Sequence, residues 1–286
     1  MPENIGLIAG SGDYPFIFAR EAKKAGMNVV VVGLKGITSG ELKNYASAME
    51  FFRLGQISAP MNFFKANGVG RCVMVGSVAH ISLWKGVFPD LRAAKLLLGL
   101  KDKKANSLLG LVADELAKDG IELVNSAMLL EHLLAKPGLI SGRPLGEDER
   151  SWAEYGWKAA KTVSALDIGL TVVLREKVVM AVEGMEGTDA CVRRAGELME
   201  KQGIPPSKRH LMVVKVARPD QDMRFDLPVT GRATLENMKS SGADILIIEA
   251  RKNLILGMEE FLSSARETGI TVFAAEDFNS FKTGHK

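Results

Sequence analysis

The strongest constraint on this chain is an alternation: short apolar runs, most of them closed by glycine, take turns with segments of helical length. Residues 5–9 (Ile-Gly-Leu-Ile-Ala) form one such run, followed by Gly10-Ser11-Gly12-Asp13-Tyr14-Pro15, a helix ending near Gly26 and a second run at residues 28–32. Pro15 suits the first helical turn, where its missing N–H costs nothing, and Gly26 suits the C-terminal cap. Strand, helix and strand in this order make a βαβ unit, and its repetition predicts a parallel sheet. Ser58 and Pro60 open another helix that Gly68 stops, and residues 71–75 are a third strand running into Gly76-Ser77. Helices at residues 90–99 and 106–118, a strand at 121–124 and a helix at 126–135 complete the first half.

The densest turn signals in the middle of the chain are Pro137-Gly138 and residues 141–146 (Ser-Gly-Arg-Pro-Leu-Gly), so a domain boundary is expected there. The expected domains are residues 1–137 and residues 143–286. The second half opens with a helix at 147–165 and a hairpin of strands 170–174 and 178–182. A helix from Thr188, its expected N-cap, to about Lys201 comes next. A buried strand at 211–214, a helix at 233–240, strands at 245–249 and 254–256, a helix to 268 and a strand at 270–274 follow. The fold class is α/β: an N-terminal Rossmann-like parallel-sheet domain plus a C-terminal mixed α/β domain, with the site between them.

At 286 residues and 47% hydrophobic, the chain has enough apolar material for two cores. A net charge of +3 and a pI near 8.7 are too mild for a concentrated nucleic-acid-binding face, so no nucleic acid is expected as partner. No run approaches the ~20 apolar residues of a membrane-spanning helix, and Met-Pro-Glu-Asn does not open a signal peptide, so a cytoplasmic location is expected. Cys72 and Cys191 read as buried small hydrophobes. His80, His132, His210 and His285 lie at no metal or triad spacing.

The chemistry concentrates in residues 215–231, Lys-Val-Ala-Arg-Pro-Asp-Gln-Asp-Met-Arg-Phe-Asp-Leu-Pro-Val-Thr-Gly. Pro219 ends the strand ladder, and the loop beyond it carries Asp220, Asp222 and Asp226 beside Arg218, Arg224 and Gln221. It reads either as a solvated loop of weak ion pairs or as a site for phosphate and a hard cation, since carboxylates suit Mg²⁺ and guanidinium suits phosphate. Gly10, Ser11 and Gly12, between strand and helix, make either a phosphate cradle or a plain tight turn. Against a dinucleotide stand Pro15 at the third fingerprint position and the lack of an acid after the second strand. Gly76 and Ser77, at another strand end, would share the crevice. Thr188 and Asp189 open a helix, where capping alone accounts for them; the functional alternative has Thr188 holding phosphate, with Glu183 or Asp189 joining the loop's carboxylates. Residues 91–100 and the lysines at 101, 103 and 104 read as a core helix with a solvated end or as a surface for acyl chains and anionic head groups.

Taken in order, residues 6–15 (Gly-Leu-Ile-Ala-Gly-Ser-Gly-Asp-Tyr-Pro), 166–169 (Leu-Asp-Ile-Gly), 181–189 (Ala-Val-Glu-Gly-Met-Glu-Gly-Thr-Asp), 215–228 and 248–250 (Ile-Glu-Ala) give the chain, nearly end to end, a close resemblance to the LpxI-type UDP-2,3-diacylglucosamine hydrolases of lipid A biosynthesis. The resemblance implies a two-domain, Mg²⁺-dependent enzyme that splits the UDP-sugar pyrophosphate into UMP and 2,3-diacylglucosamine 1-phosphate. A homodimer with transient inner-membrane contact is implied as well. It maps the essential aspartate onto Asp226, with Asp222 beside it. On the chemistry of the residues, the metal ligands expected are Asp226, Asp222 and Glu183, with Asp189 as an alternative auxiliary carboxylate. The substrate contacts expected are Lys215, Gln221 and Arg224, with the glycine turns and the helix start at Thr188 and Asp189. The chain departs from the family pattern at Asp220, where glycine is usual, and at Val229-Thr230-Gly231. A non-catalytic nucleotide or sugar-phosphate binding protein and an NAD(P)-dependent oxidoreductase are the alternatives.

Overall fold

The computed structural model describes residues 2–78, 89–98, 105–225 and 227–282, and the side chains there except at 97 and 105–108. Asp226, His80, His285 and Lys101, Lys103 and Lys104 lie outside the described residues. The chain divides into two compact units: Met1–Glu131 with Asp222–Asp226, and His132–Gln221 with Leu227–Lys286.

The first unit is built on a five-stranded parallel sheet in the order β3-β2-β1-β4-β5. Its elements are β1 (Asn4–Ala9), α1 (Tyr14–Lys24), β2 (Asn28–Leu34), β3 (Ala48–Phe52), α2 (Ser58–Ala66), β4 (Arg71–Val75), α3 (Leu91–Leu98), α4 (Ala105–Lys118) and β5 (Glu122–Leu123). The strand order reverses between β1 and β4, the place where open α/β sheets leave a crevice beyond their carboxyl ends. Val30, Val32, Phe64, Cys72 and Leu116 pack on one face, and Phe225 joins this cluster from far along the sequence. Asp90 ties two helix starts together: Oδ2 accepts from the N–H groups of Ile57 and Ser58 at 2.9 and 2.8 Å, and Oδ1 from Ala93 at 2.8 Å. Burial works to raise its pKa, but the three backbone donors outweigh it and hold the carboxyl below its ordinary value.

Two expectations fail here. Strand β3 escapes the sequence reading because Ala-Met-Glu-Phe-Phe is a partly exposed edge strand without a β-branched run. The helix expected at 126–135 does not form; turns and one short 3₁₀ segment, Glu131–Leu133, take its place. The cause is local. Asn125 Oδ1 accepts from Ala127 N–H at 2.8 Å, and Ser126 N–H donates to Met223 O at 2.9 Å, so the first-turn backbone is spent outside a helix.

The second unit holds a six-stranded mixed sheet, β6-β13-β11-β9-β7-β8. The strands are β6 (Gly138–Ser141), β7 (Thr171–Arg175), β8 (Val178–Val182), β9 (Leu211–Lys215), β11 (Ala243–Glu249) and β13 (Thr271–Ala275); β10 (Val229–Thr230) and β12 (Leu254–Ile255) form a separate parallel pair. β9, β11 and β13 run parallel, while β6 and the β7–β8 hairpin are antiparallel. Leu211, Val213, Leu246 and Ile248 face one cluster; Met212, Val214, Ile245 and Ile247 face the other. Both faces are covered, which is why these strands read as unbroken apolar runs. Helix α5 (Glu147–Ala165) packs on β7 and β9, and α6 (Thr188–Glu200), α7 (Arg232–Ser241) and α8 (Met258–Thr268) pack successively side by side. Gly138–Ser141, inside the turn-rich stretch where the sequence places the boundary, is a strand of this sheet. Among the described residues no helix is long and apolar enough to cross a membrane.

Candidate active site

In the first unit the two glycine turns meet. After β1, Gly10 N–H donates to Val75 O at 2.8 Å, and Ser11 and Ser77 exchange backbone hydrogen bonds at 2.9 and 3.0 Å. The Ser11 hydroxyl adds a bond to Ser77 O at 2.9 Å. Glycine is required at this junction: a Cβ on Gly10 would sit 2.6 Å from the carbonyl carbon of Gly76, and one on Gly76 (φ 96°) would sit 2.8 Å from Ser11 O. Gly10, Ser11, Gly12, Gly76 and Ser77 therefore form one cradle beyond the carboxyl ends of β1 and β4. At the start of α1, Tyr14 OH donates to Ser126 O at 2.9 Å, and the Ser126 hydroxyl and N–H both donate to Met223 O. The charged loop's middle thus reaches the same sheet edge, with Phe225 anchored in the core. Tyr14 and Ser126 carry this connection, and the sequence reading did not single them out; the available signal was Ser126's place just past β5, on the strand-end edge that already held the glycines. Burial pushes the Tyr14 phenol up to about 12, despite its bond to Ser126.

Asp222 and Arg224 of this segment pair with each other. Arg224 Nη2 lies 2.6 Å from Asp222 Oδ2, Nε lies 3.0 and 3.1 Å from the two carboxylate oxygens, and Arg224 N–H donates to Oδ1 at 3.0 Å. The guanidinium holds Asp222 below the ordinary carboxylate range, and the carboxylate raises Arg224 in turn. Asp226, next in sequence to Phe225, lies outside the described residues.

The second unit places the other expected residues in three groups. Glu183 accepts from Leu170 N–H at 3.2 Å and from the Thr188 hydroxyl at 3.1 Å, and the Thr188 and Thr171 hydroxyls lie 3.3 Å apart. Thr188 is not the N-cap of α6. Gly187 (φ 81°) fills that position with no side-chain cap, and Thr188 turns to Glu183 and Thr171. Asp189 enters only through its carbonyl, which accepts from Asn237 Nδ2 at 2.8 Å. Lys215, buried at the end of β9, donates to Val229 O at 2.7 Å. Gln221 Oε1 accepts from Arg218 N–H at 3.3 Å, and Arg218 Nε lies 2.6 Å from Asp167 Oδ1.

Cys72 and Cys191 are buried, and that burial pushes both thiols up to about 12, which disfavours the reactive thiolate. Among the described histidines, His210 pairs with Asp244 at the surface. Of the carboxylates expected to hold Mg²⁺, Asp222 is engaged by Arg224 and Glu183 by Leu170 and Thr188; among the described residues, which leave out Asp226, no three His, Cys, Asp or Glu side chains form a group that could hold a metal ion.

This arrangement joins two glycine turns beside the start of α1 at the strand ends, with a charged segment drawn to the same edge. It suits an anion of the phosphate class. A family model described as the LpxI N-terminal domain matches residues 4–133, and one described as the LpxI C-terminal domain matches residues 136–273. The UDP-2,3-diacylglucosamine pyrophosphatase LpxI of Caulobacter vibrioides is 27% identical over 275 residues, which are 95% of this chain and 97% of that protein. The two matched domains follow in order, the relative aligns across both, and the cradle and charged loop fall within the matched regions; the chain belongs to the LpxI family.

Proposed function

We propose that this protein hydrolyses the pyrophosphate of UDP-2,3-diacylglucosamine to UMP and 2,3-diacylglucosamine 1-phosphate, a step of lipid A biosynthesis. The observation that carries the reading is the near-full-length match to a relative with this named activity. The junction of Gly10, Gly76 and Ser77 supports it by leaving an edge free of side chains at its glycines beyond β1 and β4, beside the start of α1, where a diphosphate can approach. In the reaction, water adds to one phosphorus, the bridging P–O bond breaks and a proton is released. The protein's task is to neutralise the pyrophosphate and orient the water. Asp226 is the proposed water-orienting residue, with Asp222 beside it. Lys215, Gln221, Arg224, Thr188 and Asp189 are the proposed substrate contacts. Mg²⁺ enters as a dependence to be measured, with Asp226, Asp222 and Glu183 its proposed ligands and no step assigned through it.

The test incubates purified protein with UDP-2,3-diacylglucosamine, with Mg²⁺ or with EDTA, and follows UMP by chromatography. UMP release by the wild type is expected, with turnover by Asp226→Ala lower by about 10²–10⁴-fold while substrate still binds. Substrate binding without UMP release would mark a binding protein instead. Near-normal turnover by folded Asp226→Ala would remove Asp226 from its role. A homodimer and transient contact with an anionic inner-membrane surface belong to the same proposal. Exposed Leu91 and Leu98, one face of α3, support the membrane contact. Light scattering and vesicle co-sedimentation read these two.

A further inference from the structure

β9 pairs with β11 as far as Lys215, and Val216 N–H still donates to Leu170 O at 2.9 Å. Ala217 is the first residue beyond the ladder, and side chains take both of its backbone groups. Its N–H donates to Glu249 Oε2 at 2.8 Å, and its carbonyl accepts from Lys161 Nζ at 2.9 Å. Lys161 and Glu249 pair with each other at 2.5 Å, and Lys252 reaches the other Glu249 oxygen at 3.1 Å. The Glu249 carboxylate is 5% exposed at the end of β11, and the Lys161 ammonium lies 5.4 Å from the Trp157 ring centre. One residue further on, Arg218 is held by Asp167, whose backbone takes φ 57°. The loop's exit is fixed too: Lys215 donates to Val229 O, and the Thr230 hydroxyl to Asn253 Oδ1 at 2.8 Å.

A buried ion pair is a poor way to gain stability, since apolar side chains of equal volume do as well or better. Here both members spend hydrogen bonds on one peptide unit outside any ladder, which fixes where the chain leaves the sheet. We propose that Lys161 and Glu249 are positioning residues: together they clamp Ala217 and so set the course of the loop that runs on to Asp222 and Asp226. Neither is assigned a contact with substrate. The inference rests on the functional reading above for the loop's role, and on the geometry alone for the clamp. Removing Lys161 leaves the nearly buried Glu249 with Lys252 alone, removing Glu249 takes away the Lys161 ion pair, and either change removes a hydrogen bond or its support at the root of the loop. A displacement of about 1 Å at reacting groups is enough to lower turnover on the order of 10²-fold.

Full-length Lys161→Gln, Lys161→Arg and Glu249→Gln are compared with wild type and with Lys158→Gln, an exposed lysine one turn earlier on α5. Amide hydrogen exchange is read at residues 217–221 and, as reference, across β7 and β11, and kcat and KM are measured for UMP release. In Lys161→Gln and Glu249→Gln, exchange at 217–221 is expected to quicken by about tenfold or more with the reference strands unchanged. kcat is expected to fall about 10-fold to 100-fold at a KM within about twofold of wild type. Lys161→Arg is expected to retain most of both properties, and Lys158→Gln to match wild type. Wild-type exchange at 217–221 in the neutralised variants would overturn the clamp, as would exchange rising evenly over the whole unit. A raised KM at unchanged kcat would make Lys161 a substrate contact and overturn the positioning role. If wild type released no UMP, the functional reading would fall and the exchange comparison would still judge the clamp. Should Glu249→Gln not fold, the contrast between Lys161→Gln and Lys161→Arg decides it.

Discussion

Substituting the cradle glycines one at a time separates close packing from backbone conformation. A Cβ at position 10 meets the Gly76 carbonyl carbon at 2.6 Å and Ser77 O at 2.7 Å, all main-chain atoms that no side-chain rotation relieves. Restoring ordinary contact requires the β1 and β4 turns to part by roughly 1 Å. That separation breaks the reciprocal Ser11–Ser77 bonds at 2.9 and 3.0 Å and the hydroxyl bond at 2.9 Å. At about 1 kcal/mol net for each hydrogen bond, Gly10→Ala is expected to cost roughly 3 kcal/mol. Gly76→Ala adds an unfavourable φ of 96° to a Cβ contact 2.8 Å from Ser11 O, and is expected to cost more. Gly12 is the control. Its φ of 89° is equally unsuited to a side chain, yet a Cβ there meets nothing within 4 Å, so Gly12→Ala should cost about 1–2 kcal/mol. Urea unfolding by circular dichroism gives the order, and exchange at the Ser11 and Ser77 amides locates the damage. A Gly12→Ala cost equal to or above that of Gly10→Ala would refute the packing argument and leave conformation alone as the requirement.

Ion pairs in the two units give two further expected outcomes. Arg92 bridges Glu115 at 2.6 Å and Asp119 at 2.5 Å, and both carboxyls are held below their ordinary values, chiefly by hydrogen bonds from Lys118 to Glu115, from Lys65 to Asp119 and from Arg92 to both. Depressed folded pKa values mean stability that is full above the unfolded values near 4 and is lost as pH falls through the folded ones; urea midpoints from pH 7 down to 2 should therefore decline less steeply for Arg92→Gln than for wild type. A parallel decline would sink this assignment. The two loop arginines should also part company. Arg218 is 11% exposed against a 19% exposed Asp167, whereas Arg224 and Asp222 are 42% and 33% exposed. Arg218→Gln should lower stability by about 1–3 kcal/mol. Arg224→Gln should leave the urea midpoint nearly unchanged and raise KM for UMP release. The reverse pattern would exchange their roles.

The fold was legible where periodicity and punctuation agreed. β9 and β11 are covered on both faces, so their apolar runs have no competing interpretation, and α5 runs over the residues expected because Gly146 and the acids at 147–149 mark its start. Legibility ended where long-range contacts decide the backbone. Nothing local to residues 126–135 announces that Ser126 will spend its N–H on Met223, nor that Ala-Met-Glu-Phe-Phe at 48–52 will find β2 as a partner. Tertiary context overrides propensity in both cases.

The site was legible as a set of residue types and much less so as an arrangement. Counting charges in residues 215–231 suggests several cations awaiting an anion, yet Arg218 bonds Asp167, Arg224 bonds Asp222, and Lys215 gives a hydrogen bond to Val229 O. Each of these partners differs in what it costs to exchange. Asp167 is mostly covered, so uncoupling Arg218 would strand a desolvated carboxylate. The Asp222–Arg224 pair is solvated, and an exposed pair of this kind is worth about 0–1 kcal/mol; a phosphate offering two charge-assisted bonds to a guanidinium competes with it on favourable terms. The sequence shows two arginines six positions apart, alike in type, whereas burial makes one of them part of the scaffold and leaves the other able to change partner. The same reasoning explains why Lys161 drew no attention from sequence and Glu249 only as part of the 248–250 motif: neither lies in the charged stretch, and their joint role arises because Ala217 leaves the ladder between them.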